Sequence, residues 1–195
     1  LGQILARIHR IPADDAELVG LPSTPRDVSP AQADVEASAQ RARALALEPH
    51  PVLDLAERWL RERIPATGRR SVVHGDYRIG NVIFGPEGVR AILDWELAHI
   101  GDPTEDLGWL CVRSWRFGAV LPVGGLGARE PFFAAYTAAG GGPVDPAAVQ
   151  WWEVFGNLKW AVVCLMQAQT FLAGRVRSVE LASLGRRVAE MELEL

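Results

Sequence analysis

The chain has 195 residues and a net charge of −4, with 20 basic residues against 24 acidic ones. This length fits one domain or one large lobe of a two-lobed protein. Because 49% of the residues are hydrophobic and 23% are charged, the chain can bury a sizeable core and is not a disordered segment. The negative net charge argues against a nucleic-acid partner bound through a basic surface.

The longest apolar segment, residues 151–172, is interrupted by polar and charged residues, Lys159 among them. A lysine at the centre of a membrane helix costs about 2.5–3.5 kcal/mol, so the segment is expected to be a buried helix rather than a membrane span. Cys111 and Cys164 lie in apolar surroundings without a CxxC spacing, and both are expected to be buried thiols. These features predict a cytoplasmic protein with no membrane partner.

Helical periodicity and strong helix formers dominate both ends of the chain. The predicted helices cover residues 1–11, 31–48, 52–64, 104–115, 129–139, 146–172 and 178–194. Four prolines make residues 12–30 an irregular loop.

The periodicity changes in the middle of the chain, where three short, β-branched runs follow one another. They are SVVH (71–74), NVIF (81–84) and VRAILDW (89–95), and GPEG between the last two predicts a hairpin turn. The predicted fold class is therefore α+β, mainly helical, with one small β-hairpin.

Three oxygen-bearing side chains surround this hairpin. Asn81 and Asp94 are expected at the same end of it, and Asp76 lies in the loop just before. Two carboxylates and an amide oxygen form a hard ligand set, which suits Mg²⁺ rather than zinc.

The same residues carry a family resemblance. HGDYRIGN (74–81) resembles the HGD-x4-N catalytic loop of the aminoglycoside phosphotransferases and choline kinase-like enzymes, which are relatives of protein kinases. ILDWE and the following IGDPTEDLGWL resemble that family's metal-binding segment, in the branch similar to the kinase-like domains fused to acyl-CoA dehydrogenases. The resemblance implies the C-terminal lobe of a protein-kinase-like fold, with the hairpin carrying the catalytic and metal residues.

The resemblance also implies a role for each site residue. Asp76 would accept or orient the proton of the substrate hydroxyl, while Asn81 and Asp94 would hold Mg²⁺ against the phosphates of ATP. His74 would brace the loop through hydrogen bonds to backbone. Arg78, also assigned to the catalytic set, would either reach phosphate or pair with a nearby glutamate.

The glutamate considered as a partner of Arg78 is Glu96. The sequence does not decide whether Arg78 pairs with Glu96 or reaches phosphate. Asp102 and Asp106 are expected to be structural acceptors, with Asp106 in the first turn of a helix, where a carboxylate is favourable. The seven tryptophans are expected to pack in the core, and the exception is expected at residues 115–117, before a glycine-rich loop.

A kinase of this type also needs a Gly-rich loop over the phosphates and a lysine on a strand of its first lobe. Residues 1–70 carry helical patterns and a proline-rich loop, and Lys159 is the only lysine. Residues 1–195 are therefore expected to be the C-terminal lobe of a longer enzyme, without the nucleotide-binding lobe and inactive alone. The exposed interlobe surface is expected to promote self-association.

The leading hypothesis is a small-molecule kinase that phosphorylates a hydroxyl, with nucleotide and a hydroxylated small molecule as partners. One alternative is a non-catalytic, pseudokinase-like binding module, and a less favoured one is a metal-dependent hydrolase using His74, Asp76, Asp94 and His99. Acidic residues are few after residue 112, which gives little support for a polycationic antibiotic. A neutral or acidic metabolite, such as an acyl thioester, fits equally well.

Overall fold

The structure, a computed structural model, describes residues 1–18, 20–45, 48–66 and 69–195. By the contacts between its Cα atoms the chain divides into two compact units. The first contains Leu1–Pro30 and Pro65–Glu153, and the second contains Ala31–Ile64 and Val154–Leu195.

The first unit carries all four strands described. Its helices are α1 (Gly2–Ile8), α4 (Thr104–Cys111), α5 (Arg129–Tyr136) and the start of α6 (Pro146–Leu172). Its strands are β1 (Ser71–Val73), β2 (Val82–Gly85), β3 (Gly88–Ile92) and β4 (His99–Gly101).

Two antiparallel pairs make up the sheet structure of this unit. In the hairpin β2–β3, Val82 lies opposite Ile92, and a bulge follows at Ile83 and Phe84. The predicted hairpin is therefore confirmed. The second pair joins β1 to β4, with Val73 opposite His99. Strand β4 was not predicted, because three residues are too few to show an alternating pattern.

The core of the first unit lies between α1, α4, α5 and the strands. Leu5, Tyr77, Leu110 and Tyr136 are among its buried residues. Helix α1 lies so close to α5 that a Cβ on Gly2 would come within 2.6 Å of a backbone carbonyl oxygen. Glycine at this position therefore permits the close approach of the two helices.

The second unit is helical throughout its regular structure. It contains α2 (Pro30–Leu45, from Ala31), α3 (Pro51–Glu62), the rest of α6, α7 (Val179–Leu184) and α8 (Val188–Glu194). A 3-10 turn at Gly185–Arg187 separates α7 from α8, where one continuous helix was predicted.

Helix boundaries account for the other differences from the prediction. Helix α4 ends at Cys111 because Val112 adopts an extended conformation (ψ 135°), and a 3-10 turn then covers Arg113–Arg116. Helix α5 ends in a π turn at Thr137–Gly141. The predicted end of the second helix passes through residues 46 and 47, which lie outside the described residues.

Candidate active site

The carboxylate of Asp76 is the centre of the site and is held by three side chains. The Nε–H of Arg78 lies 3.0 and 3.1 Å from its two oxygens. The side-chain amide of Asn81 donates to Oδ2 at 2.6 Å and to the Asp76 backbone carbonyl at 2.9 Å. The indole N–H of Trp109 donates to Oδ1 at 2.7 Å. The orientation of the Asp76 carboxylate is thus fixed from several directions.

His74 braces the loop through both nitrogens of its ring. Its Nδ1 accepts from the backbone N–H of Asp76 at 3.2 Å, so the ring proton is on Nε2, which donates to the carbonyl of Leu93 at 2.9 Å. The His74 ring connects the loop at residues 74–81 to the residue before Asp94. Both nitrogens are occupied, so binding zinc would require the loss of a backbone hydrogen bond.

Asp106 on α4 anchors the same loop from the protein interior. Its carboxylate accepts the backbone N–H of His74 at 2.8 Å and that of Gly75 at 2.9 Å. It also accepts from Nε2 of His9 at 3.1 Å. Because an ionised carboxylate can only accept, Nε2 of His9 carries the proton. Nδ1 of His9 then accepts a hydrogen bond from the hydroxyl of Tyr136 at 2.7 Å. Burial raises the pKa of Tyr136 to about 12, so this hydroxyl keeps its proton.

Gly75 occupies the position where protein kinases have an arginine in this loop. Its φ of +79° is a left-handed conformation that residues with a side chain rarely adopt. A Cβ at this position would lie 2.5 Å from the carbonyl oxygen of Leu97. Both the conformation and the space therefore require glycine between His74 and Asp76.

The hairpin brings Asn81 to the residue that precedes Asp94. The N–H of Leu93 donates to the carbonyl of Asn81 at 2.8 Å, directly beyond the Val82–Ile92 pair. Asp94 itself is exposed and has the left-handed conformation φ 70°, ψ 58°. In the described turn that follows, no N–H donates a capping hydrogen bond to its side chain.

Asn81 and Asp94 fit a hard divalent cation. The NH₂ of Asn81 is directed at Asp76, so its planar amide turns Oδ1 the other way. Asp94 contributes an exposed carboxylate beside the same end of the hairpin. Amide and carboxylate oxygens are the ligand types that Mg²⁺ takes, usually one or two from the protein, with its remaining positions kept for water and phosphate.

Arg78 has a partner that was not considered from the sequence. Its guanidinium is bonded to Asp76, two residues earlier, rather than to Glu96. Its Cζ also lies 5.0 Å from the ring centre of Trp115, in a cation–π contact. Its side chain remains 27% exposed, so the guanidinium is still accessible from solvent.

Two residues of this network, Trp109 and His9, were not singled out from the sequence. Trp109 lies three residues after Asp106, which places both on one face of α4, towards the catalytic loop. That spacing indicates the shared helix face, but it does not show that Trp109 reaches Asp76. His9 gave no such signal, because its partner is 97 residues away.

Asp102 and Glu153 have partners of their own. Asp102 accepts from the backbone of Thr104 at 2.9 Å and from the indole of Trp152 at 3.0 Å, as expected of a structural acceptor. Burial raises the pKa of Asp102. Glu153 pairs with Arg116 at 2.9 Å and with Arg129, so its charge is neutralised within the protein.

His99 lies on strand β4 and is also engaged. Its Nε2 contacts a carboxylate oxygen of Glu105 at 3.1 Å, and its Nδ1 lies 2.9 Å from the carbonyl of Leu97. These contacts, with those of His74, give no support to a zinc hydrolase site at the hairpin.

Fold and site together define a kinase-like lobe, with a braced aspartate loop leading into a hairpin. The chain belongs to the phosphotransferase enzyme family (APH), whose family model matches residues 1–152. This confirms the resemblance drawn from the HGD-x4-N segment and the segment after it.

The curated proteins to which the chain is similar include acyl-CoA dehydrogenase family members. It is 33% identical over 114 residues to acyl-CoA dehydrogenase family member 10 of Mus musculus, a match that covers 57% of this chain and 10% of that protein. The chain therefore spans about a tenth of the length of this relative.

Solved structures show the same fold. A Ralstonia eutropha protein described as an aminoglycoside phosphotransferase matches with a TM-score of 0.78 at 23% identity, over 98% of this chain and 60% of that one. Macrolide 2'-phosphotransferase MphH from Brachybacterium faecium matches with a TM-score of 0.63 at 23% identity, over 97% and 57%. Structures of this fold also include a GDP complex of aminoglycoside 2'-phosphotransferase-IIIa and an AMP complex of LicA, with TM-scores of 0.60 and 0.56.

Across the described residues, none of the helices combines the length and apolar character needed to cross a bilayer.

Proposed function

We propose that the chain is the catalytic and substrate lobe of an ATP- and Mg²⁺-dependent phosphotransferase that phosphorylates a hydroxyl of a small molecule. The observation that carries this proposal is the Asp76 carboxylate, which is held by three N–H donors beside the end of the hairpin where Asn81 and Asp94 follow. An aspartate with only a structural role would not need a side-chain hydrogen bond from Asn81, whose backbone carbonyl the hairpin joins to the residue before the exposed Asp94.

Asp76 retains room for a substrate. A carboxylate offers about four acceptor positions, and the donors seen here come from Arg78, Asn81 and Trp109. The Nε–H of Arg78 is shared between both oxygens, so the hydroxyl that attacks the phosphoryl group would take the place of one of its two contacts. The Asp76 side chain is 14% exposed, which is enough for contact with a ligand while most of the surrounding water is excluded. Asp76 would orient this hydroxyl and accept its proton.

Asn81 and Asp94 would hold the metal ion, which supplies charge neutralisation for the nucleotide phosphates. The hydrogen bond from Asn81 to Asp76 would fix the position of the Asn81 amide oxygen relative to the Asp76 carboxylate. Arg78, whose guanidinium is partly exposed, would meet the negative charge of the transferred group.

A neutral or acidic substrate fits the surroundings better than a polycation. Of the three acidic residues between 113 and the last helices, Glu153 is paired with two arginines, and Asp145 accepts from the backbone at the start of α6. Large apolar side chains are exposed in the segment that follows Arg116, with Phe117 at 70% and Leu126 at 59%. The names of the curated relatives contain acyl-CoA. We therefore propose a hydroxylated acyl thioester or a similar metabolite.

The nucleotide site is proposed to be completed by a further lobe. The chain covers 60% of one solved neighbour and 57% of another, which supports this proposal. We expect residues 1–195 alone to bind nucleotide weakly and to turn over no substrate. ATP-dependent turnover by this chain alone would contradict that expectation.

The proposed cytoplasmic location is supported by the two cysteines, which are free and buried. Self-association is proposed through apolar side chains around the hairpin, such as Phe84, Trp95 and Leu97, each more than 40% exposed. Light scattering of the purified chain tests this, and a monomer at all accessible concentrations would refute it.

The test of function is an assay of ATP consumption by the full-length protein across hydroxylated acceptors, including hydroxyacyl thioesters and aminoglycosides. Asp76→Asn is expected to lower kcat by several orders of magnitude for the active acceptor, with an unchanged circular dichroism spectrum. Asp145→Asn, which alters an exposed carboxylate outside the site, is the matched control and should retain activity. A rate for Asp76→Asn equal to wild type would remove the assignment of Asp76.

A non-catalytic binding module would give a different result. It would bind nucleotide in a calorimetric titration of the full-length protein but consume no ATP with any acceptor. In that case Asn81→Ala and Asp94→Ala would change only the metal dependence of binding.

A further inference from the structure

Four side chains form a closed ring of contacts around the proposed base. Asp76 is bonded to Arg78 at 3.0 Å and to the indole N–H of Trp109 at 2.7 Å. The ring of Trp115 contacts both of those partners, with its centre 5.0 Å from the Cζ of Arg78 and 5.0 Å from the ring centre of Trp109. A rotation of the Asp76 carboxylate would therefore break its contacts with Arg78 and Trp109, the two side chains that contact Trp115.

The two tryptophans of the ring are held in place by burial and by the contacts of the turn that carries Trp115. Trp109 and Trp115 are each 5% exposed, which leaves their rings little freedom. The turn that carries Trp115 is fixed by Arg116, which donates to the carbonyl of Cys111 at 2.6 Å and pairs with Glu153 at 2.9 Å. These contacts connect the turn to α4 and α6, so the indole groups are pre-positioned before any ligand binds.

We propose that Trp109 and Trp115 are positioning residues for the phosphoryl transfer. The indole N–H of Trp109 sets the rotation of the Asp76 carboxylate, and the ring of Trp115 keeps the Arg78 guanidinium in register with it. The inference rests on the proposed function, because it assigns these residues to the same transfer step. A small misalignment of a base lowers kcat more than it lowers substrate affinity, because alignment matters most in the transition state.

The chain offers a matched pair of tryptophans for the test. Trp152 is also buried, at 1% exposure, and its indole N–H also donates to a carboxylate, that of Asp102 at 3.0 Å. Trp109→Phe and Trp152→Phe thus remove the same kind of hydrogen bond, and only the first reaches Asp76.

Steady-state kinetics of the full-length protein should separate the two variants. Trp109→Phe is expected to lower kcat by about 10- to 100-fold with KM changed less than threefold, the size expected for one lost hydrogen bond to a charged group. Trp152→Phe should lower the melting temperature by about as much as Trp109→Phe does. It should leave kcat within about twofold of wild type. Equal kcat values for the two variants would overturn the positioning role.

A spectroscopic measurement tests the contact without turnover. In full-length protein with ¹⁵N-labelled tryptophan, Asp76→Asn should move the indole N–H signal of Trp109 and leave that of Trp152 in place. Asp102→Asn should do the reverse. A Trp109 signal that does not respond to Asp76→Asn would overturn the inference. Absence of turnover by the wild-type protein would instead refute the proposed function, and the spectra would still decide whether Trp109 holds Asp76.

Discussion

Asp106 offers the most direct test of how the loop at residues 74–81 is held. Its carboxylate is fully buried and accepts three N–H groups, from His74 at 2.8 Å, Gly75 at 2.9 Å and His9 at 3.1 Å. In Asp106→Asn the single amide oxygen can keep the two donors that now share Oδ2, but the NH₂ then faces the N–H of Gly75. A buried donor without an acceptor costs about 1–3 kcal/mol.

The two remaining hydrogen bonds also lose the assistance of the negative charge, so the total is about 2–4 kcal/mol. For a chain of this size each kcal/mol lowers the melting temperature by about 2–4 °C, which gives a fall of about 4–16 °C. Chemical unfolding and differential scanning calorimetry measure both values. The control is Asp145→Asn, which affects one exposed hydrogen bond, to Ala147. If the free energy of unfolding of Asp106→Asn stays within 0.5 kcal/mol of that of the control, on the order of one weak contact, the proposed anchoring is wrong.

Three further predictions concern Gly75, the thiols of Cys111 and Cys164, and the buried carboxylate of Asp102. Gly75→Ala should destabilise the protein by about 1–3 kcal/mol more than Gly118→Ala, because both have positive φ but only Gly75 faces a carbonyl; equal denaturation midpoints would contradict this. Burial raises the pKa of the Cys111 and Cys164 thiols to about 11 from 9.0. Alkylation at pH 8 should therefore be at least about a hundredfold slower in the folded protein than in denaturant, and comparable rates would refute the burial. Burial also raises the pKa of Asp102 above its ordinary 3.8, so the folded state holds this proton more tightly and loses that stabilisation as the pH rises from about 4. The free energy of unfolding of wild type relative to Asp102→Asn should fall over that range in urea titrations, and a difference independent of pH would argue against it.

Local patterns in the sequence were sufficient for the hairpin and for the order of the site residues. Alternating β-branched residues on either side of GPEG predicted β2 and β3, and the register then placed Asn81 opposite the residue before Asp94. Both features depend on neighbours fewer than fifteen residues apart. The left-handed conformation at Gly75 was not predicted, although glycine at a tight loop is a local signal of the same kind.

The partners of Arg78 could not be settled in this way. Glu96 and a phosphate were the candidates by charge, whereas the structure pairs the guanidinium with Asp76 and stacks it on Trp115. The choice depends on which direction the Arg78 side chain takes from its loop. That direction is set by the packing of the turn at 113–116 against α4 and α6.

The sequence by itself therefore determined the mainly helical α+β class, the hairpin and the family, because each rests on residue types at short and regular spacing. Only the tertiary structure decided how the Asp76 carboxylate is held. His9 reaches Asp106 across 97 positions, and Trp109 reaches Asp76 across 33. Contacts at such separations leave no periodic trace in a single sequence, since they arise when helices and strands that fold locally are packed around one core.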